Sequence, residues 1–187
     1  MFYSCMDLVM EIPSNLSRDV CLEIIDKFEK DGRKVDGVTG GGLNKDVKNS
    51  KDLPIHRLQE WDKICEYLDA KLKSNLLEYD NFVKSKFPQD MPPIGINILK
   101  HSGYQIQKSG YYRWHIDESV GFGRMRLVTY IWYLNTIEEG GETGFHFKKV
   151  KPEEGKFVMF PATWDYPHCG YDTENKYIIT GWFWKPV

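Results

Sequence analysis

The run Trp114-His115-Ile116-Asp117, answered far downstream by His168 and then by Lys176, is the part of this 187-residue chain best equipped to hold a reactive metal. In an extended strand, residues two apart point to one face, so His115 and Asp117 present an imidazole and a carboxylate to a single metal ion. A distant histidine must close the triangle. Two histidines and one carboxylate on one side of a metal, with the other side open, are the arrangement expected of a non-heme Fe(II) centre that works on O2.

A His-x-Asp arises readily by chance, so the weight falls on the residues downstream of it. His168 is succeeded by Gly170, by the turn signal Asp172-Thr-Glu-Asn175, and by the apolar run Lys176-Tyr-Ile-Ile-Thr-Gly-Trp-Phe-Trp184. The pattern reads as strand, turn, strand. Alternation on the last strand puts Lys176, Ile178, Thr180 and Trp182 on one face, where an inward lysine needs an anion. The competing reading has Lys176 open the strand beside the polar turn and snorkel into water. His56, His101 and His146 read as ordinary histidines. His146, in Gly144-Phe-His-Phe147, is the rival third ligand, but nothing like Lys176 comes after it at strand-and-turn distance.

With these residues in place, the segment from Ile94 to Trp184 resembles the catalytic domain of Fe(II)/2-oxoglutarate-dependent dioxygenases, in the prolyl 4-hydroxylase-like branch. The matching pieces, in order, are Tyr104, Gly110-Tyr-Tyr112, His115-Ile-Asp117, Arg126 to Asn135, Glu139 to Phe145, Val150 to Gly155, Phe160, His168-Cys-Gly170 and Lys176 to Trp182. The resemblance implies that His115, Asp117 and His168 are the iron ligands and that Lys176 pairs with the distal carboxylate of 2-oxoglutarate. It implies cosubstrate contacts from Tyr133, Thr180 and, less directly, Tyr104, and it places Arg126 near the site mouth without giving it a role. The activity implied is hydroxylation of a C–H bond with Fe(II), 2-oxoglutarate and O2, releasing succinate and CO2, a prolyl residue in a peptide or protein being the first target. A free amino acid or other small molecule is the alternative substrate. A metal-binding jelly-roll sensor without turnover is the alternative from another class, although a sensor has no need of a dicarboxylate anchor. A nucleic-acid demethylase shares the iron chemistry but predicts a basic groove.

Periodicity gives the scaffold that would hold these side chains. Ser17 precedes Arg18 to Phe28, where Val20, Ile24 and Phe28 recur at helical spacing until Asp31-Gly32. A second helix is expected from about Leu58 to Glu78, with Trp61, Ile64, Cys65, Leu68, Leu72 and Leu76 on one stripe. Both stripes suit helices bracing a sheet. Between them, Arg33 to Pro54 is polar, carries Gly40-Gly-Gly42 and reads as a long loop, a candidate substrate cover. From Ile94 on, short strands are divided by turn signals at Ser102-Gly103, Ser109-Gly110, Gly121-Phe-Gly123, Glu139-Gly-Gly141, Glu153-Glu-Gly155 and Asp172 to Asn175. That pattern suggests a sandwich or jelly roll, sharpened by the resemblance to a double-stranded β-helix. The expected class is mainly β with supporting helices (α+β). One domain is expected over 1–187, with helical support and loop in 1–90 and the jelly-roll core in 91–187.

A net charge of −2 and a pI near 6.2, with no dense basic block, argue against a nucleic-acid partner. The opening Met1 to Glu11 lacks a basic start and is cut by Asp7, so it does not read as a signal peptide, and no apolar run reaches membrane-spanning length. The four cysteines, Cys5, Cys21, Cys65 and Cys169, form no metal-like pair and suit free thiols in the cytoplasm. Cys169 beside His168 reads as a small packing residue.

Overall fold

Period-two alternation on three adjacent strands divides the molecule into two apolar clusters with a sheet between them. In this computed structural model, which describes residues 6–88, 99–121 and 123–187, the strands are β1 (Met10–Ile12), β2 (Val35–Asp36), β3 (Lys48–Pro54), β4 (Lys100–His101), β5 (Gln105–His115) and β6 (Val120–Gly121). They continue as β7 (Arg124–Tyr133), β8 (Thr143–Phe145), β9 (Lys149–Val150), β10 (Phe157–Pro161), β11 (His168–Gly170) and β12 (Lys176–Pro186). Hydrogen-bonded neighbours run β1-β10-β7-β12-β5-β11-β8-β9, all antiparallel, with β3 joined to the outer side of β5. On β7, β10 and β12, Tyr130, Trp132, Phe157, Met159, Tyr177 and Ile179 face the helices. Their neighbours Ile131, Tyr133, Val158, Phe160 and Ile178 face the opposite, inner cluster. One register residue thus decides whether a side chain braces the fold or approaches the site.

Two helices cover the outer face. Helix α1 (Arg18–Lys30) starts where the Ser17 hydroxyl accepts from the Val20 amide, carries Asp19 in its first turn and Lys27 and Lys30 in its last, and buries Cys21, Ile24 and Phe28. Helix α2 (Asp62–Lys84) comes after a short 3-10 turn at Gln59–Trp61 and extends six residues past its expected end. Its buried stripe continues through Asn75, Tyr79 and Val83. The polar Asn75 broke the apolar pattern, yet it is buried because its amide exchanges two hydrogen bonds with Asn15 (2.9 and 3.0 Å). Asn15 in turn accepts from the Trp132 indole N–H at 2.8 Å, so a closed polar network ties α2 to the sheet.

Residues 33–54 are not one long loop. They contain β2 and the seven-residue β3, which pairs with β5 from Pro54↔Gln105 to Lys48↔Tyr112. The strand was hidden because its inward residues are polar: Lys48, Ser50 and Asp52 are 5%, 7% and 2% exposed. Lys48 Nζ and Ser50 Oγ each reach the Asp52 carboxylate at 2.7 Å. Removing one member of such a pair leaves an uncompensated buried charge, at a cost of about 3–5 kcal/mol. Asp52→Ala should lower the unfolding free energy by that amount in denaturant titration, whereas a change under about 1 kcal/mol would show that water reaches Lys48.

Ser109-Gly110 is likewise not a turn. Ser109 pairs with Ser50 and Tyr111 with Asn49, leaving Gly110 as an unpaired bulge inside β5. A Cβ there would meet the Asn49 side chain at 3.2 Å. The bulge lets β5 change partners along one edge, from β12 for Gln105 to Ser109 to β11 for Tyr112 to His115. That bend delivers His115 to the inner face. The boundary expected near residue 90, the strand start at Ile94, Phe122 and Cys5 lie outside the described residues.

Candidate active site

His115 ends β5 and stands directly across from His168, the first residue of β11. Asp117 lies two residues beyond the strand end, held by the Thr129 hydroxyl of β7, which donates to its Oδ2 at 2.8 Å. Each imidazole has its Nδ1 against a main-chain carbonyl, Arg113 O at 2.8 Å for His115 and Tyr166 O at 3.1 Å for His168. A carbonyl only accepts, so Nδ1 carries the proton and the Nε2 lone pairs face inward. They point at one carboxylate: His115 Nε2 lies 3.6 Å from Asp117 Oδ1, and His168 Nε2 lies 3.5 Å from Oδ2. Ligand atoms from all three residues fall within 4.8 Å of one another, the only such group of three or more metal-ligating side chains among the described residues.

The surroundings fix this geometry and set its charge. The Tyr112 ring lies flat on His115 at 3.5 Å, and Phe160 meets His168 edge-on at 4.9 Å. Burial pushes the His115 imidazole down to about 4, with His168 adding to the shift, so it is neutral near pH 7 and able to donate its lone pair. For Asp117, burial raises the carboxyl, but His168, His115 and the Thr129 hydroxyl outweigh it and the group sits below the ordinary carboxylate range. The Trp182 indole N–H adds its dipole from nearby without meeting hydrogen-bond geometry. Two imidazoles with Nε2 turned inward and one carboxylate, pre-oriented and buried, suit a divalent iron ion.

The triad lies in a cavity of about 430 Å³. The inward face of β12 supplies Lys176, Ile178, Thr180 and Trp182 to its wall. Lys176 is 3% exposed, and its Nζ donates to Gly141 O at 2.7 Å, from a turn whose Gly141 has φ +71°. No carboxylate among the described residues lies within ion-pair distance of it. Burial lowers the ammonium to about 8, against the opposing pull of Glu142.

The remaining sequence-derived positions divide. Thr180 faces the cavity, its hydroxyl donating to Tyr130 O at 3.0 Å. Tyr133 is fully buried behind the wall, and its hydroxyl meets the Thr143 hydroxyl, which does line the cavity. Tyr104 is corrected outright: its ring sits in the helix-side core and its hydroxyl donates to Asp69 of α2. The Tyr104 side chain falls on the outer face because alternation from inward Gln105 and Gln107 puts it there. His146 is exposed and apart from the triad, while Cys169 lines the cavity as a buried thiol whose ionisation burial raises.

Gln105, Gln107 and Ser109 of β5 border the cavity and escaped the sequence reading. Val38, Thr39 and Gly40 after β2 and Lys48 and Ser50 of β3 also border it, and they belong to the segment 33–54 read as a candidate substrate cover, although not as a strand. The alternating polar residues 48, 50 and 52 carried the available signal. No helix among the described residues is long and apolar enough to cross a membrane.

Residues 99–184, which include all three residues of the triad, match the 2OG-Fe(II) oxygenase superfamily. Within that class the likeness is to prolyl 4-hydroxylases. The chain is 24% identical over 170 residues to prolyl 4-hydroxylase 13 of Arabidopsis thaliana, covering 81% of this chain and 58% of that protein. It therefore spans little more than half the length of this curated relative. The fold matches the viral collagen prolyl hydroxylase of Paramecium bursaria Chlorella virus-1, solved with 2-oxoglutarate, at a TM-score of 0.65, with 21% identity over 95% of this chain and 96% of that one. It also matches a Trichoplax adhaerens prolyl hydroxylase solved with a hypoxia inducible factor peptide fragment, at a TM-score of 0.73, with 18% identity over 94% and 82% of the two chains. These neighbours share the jelly-roll fold expected from the strand pattern.

Proposed function

We propose that the chain is a hydroxylase that uses Fe(II), 2-oxoglutarate and O2 to hydroxylate a prolyl residue of a peptide or protein, with release of succinate and CO2. His115, Asp117 and His168 hold the iron; when bound, iron and cosubstrate together supply the oxidation of the C–H bond. The observation that carries the reading is Lys176, a buried cation in the cavity that contains the triad, without a carboxylate partner among the described residues. Fe(II), one aspartate and a doubly charged 2-oxoglutarate leave one negative charge, and one buried ammonium cancels it where unpaired charge is costly. Thr180 lies two pairs further along the same face. A core shared by the helices and the sheet supports treating 1–187 as one catalytic domain.

A peptide target is supported by the cavity's other end. Arg126 stacks on the Trp182 ring at 3.8 Å and reaches Asp117 O at 3.4 Å, yet its Nε and the Trp182 Nε1 are buried donors without a hydrogen-bond partner among the described residues. Both border the cavity, and donors of this kind suit the carbonyl oxygens of a peptide chain. Arg126→Met should raise the peptide KM about tenfold with iron content unchanged, a lost hydrogen bond to a charged donor being worth about 1.5–3 kcal/mol. An unchanged KM would move substrate recognition elsewhere.

The test of the whole reading is anaerobic reconstitution with Fe(II), then succinate measurement with 2-oxoglutarate and O2, with and without proline-containing peptides. Peptide-stimulated succinate with a product 16 mass units heavier, roughly one oxygen atom, is expected. Stimulation by free amino acids alone would replace the peptide with a small-molecule substrate. Iron binding without succinate under every condition would leave a metal-binding sensor.

A further inference from the structure

Resting on that cosubstrate reading, we propose that Ser109 and Gln107 of β5 hold the dicarboxylate beside Lys176, the place that the resemblance gives to Tyr133. Register sets them there. Ser109 is the direct cross-strand partner of Lys176, and Gln107 pairs with Ile178, one inward position further along. Directly opposed side chains in an antiparallel pair lie about 5 Å apart at Cβ, so the Ser109 hydroxyl and the lysine stem share one patch of wall. The outward neighbour Ile106 is fully buried in the helix-side core, which fixes β5 against a slip of register.

What singles out these two is unspent hydrogen-bonding capacity. Ser109 and Gln107 are each 8% exposed and border the cavity, and neither side chain has a hydrogen-bond partner among the described residues. Their polar neighbours on the same wall are engaged: Gln105 and Ser50 donate to Asp52, Thr180 donates to Tyr130 O, and the Tyr133 hydroxyl is tied to Thr143. Buried polar groups in folded proteins meet partners, so groups left open towards a cavity mark where a ligand or water completes them. An ionised carboxylate only accepts hydrogen bonds, through about four lone-pair directions, and Lys176 already gives one of its protons to Gly141. A hydroxyl and an amide N–H are the donors such an acceptor lacks. Tyr133 is less suited, because it lies behind the wall, where its hydroxyl meets that of Thr143.

The experiment is calorimetric titration of the Mn(II)-loaded protein with 2-oxoglutarate and with 2-oxobutyrate, which has the same 2-oxoacid head but no distal carboxylate. Ser109→Ala and Gln107→Leu should each weaken 2-oxoglutarate about tenfold and leave 2-oxobutyrate and Mn(II) affinity unchanged. Unchanged 2-oxoglutarate affinity in both variants, or equal loss for the two acids, overturns the inference, the latter by showing a structural effect. Lys176→Ala in the same titration separates the levels. If it weakens 2-oxoglutarate while the β5 variants do not, the β5 assignment alone fails; if it too has no effect, the cosubstrate reading fails with it.

Discussion

His168→Ala should strip the protein of iron and abolish succinate formation from 2-oxoglutarate, while His146→Ala should retain both. Loss of an outer-shell partner alone typically costs 10–100-fold in metal affinity, so loss of a ligand should exceed about a hundredfold. The geometry gives the reason. His168 is 5% exposed, its Nδ1 is committed to Tyr166 O, and its Nε2 faces Asp117, so the imidazole has one free lone pair and one place to put it. Metal analysis after gel filtration, with succinate measured on the same sample, checks both halves. Iron retained by His168→Ala and lost by His146→Ala would transfer the third ligand to the turn after β8.

The parts of this site that were legible in the sequence are those in which side-chain chemistry and strand period agree. On β12, Lys176, Ile178, Thr180 and Trp182 all border the cavity, as alternation required, and Tyr177, Ile179 and Phe183 lie in the helix-side core. On α1, a serine cap and an apolar stripe reinforce one another. Where polarity and burial part company, the reading failed. β3 buries Lys48 and Asp52 against each other, so a strand with one inward face looks like a loop. Asn75 continues the stripe of α2 only because Asn15 completes its amide from a segment sixty residues away. Gly110 signals a break in regular pairing, and the sequence alone does not distinguish a reversal of the chain from a bulge that bends it. Tyr104 shows the limit of carrying a residue over by type: displaced by one position on a strand, a side chain changes sides, and its hydroxyl finds Asp69 instead of the cavity.

Lys176→Ala should keep iron and raise the 2-oxoglutarate dissociation constant at least tenfold, because a charge-assisted hydrogen bond of about 1.5–3 kcal/mol is lost. The wild-type pH dependence provides a sharper test. Burial holds the ammonium at about 8, against 10.5 for an exposed lysine, so between these values the unfolded chain binds a proton that the folded protein does not. Cosubstrate-free stability should therefore gain a contribution from this residue as pH rises from about 8 to 10.5, the opposite of a salt-bridged lysine. Binding reverses the sign: the dicarboxylate needs the ammonium charged, so its affinity should be flat below about pH 8 and fall as pH rises above it, with proton uptake on binding in the same range. Calorimetric titration in buffers of different ionisation enthalpy measures that uptake directly. Lys176→Ala should flatten the profile and remove the uptake, and Lys176→Arg, charged throughout, should restore flatness at a higher affinity than alanine. A wild-type affinity constant through pH 9.5, about one and a half units past the titration, would mean that the anion is held by main-chain or uncharged donors and that the lysine serves the fold alone.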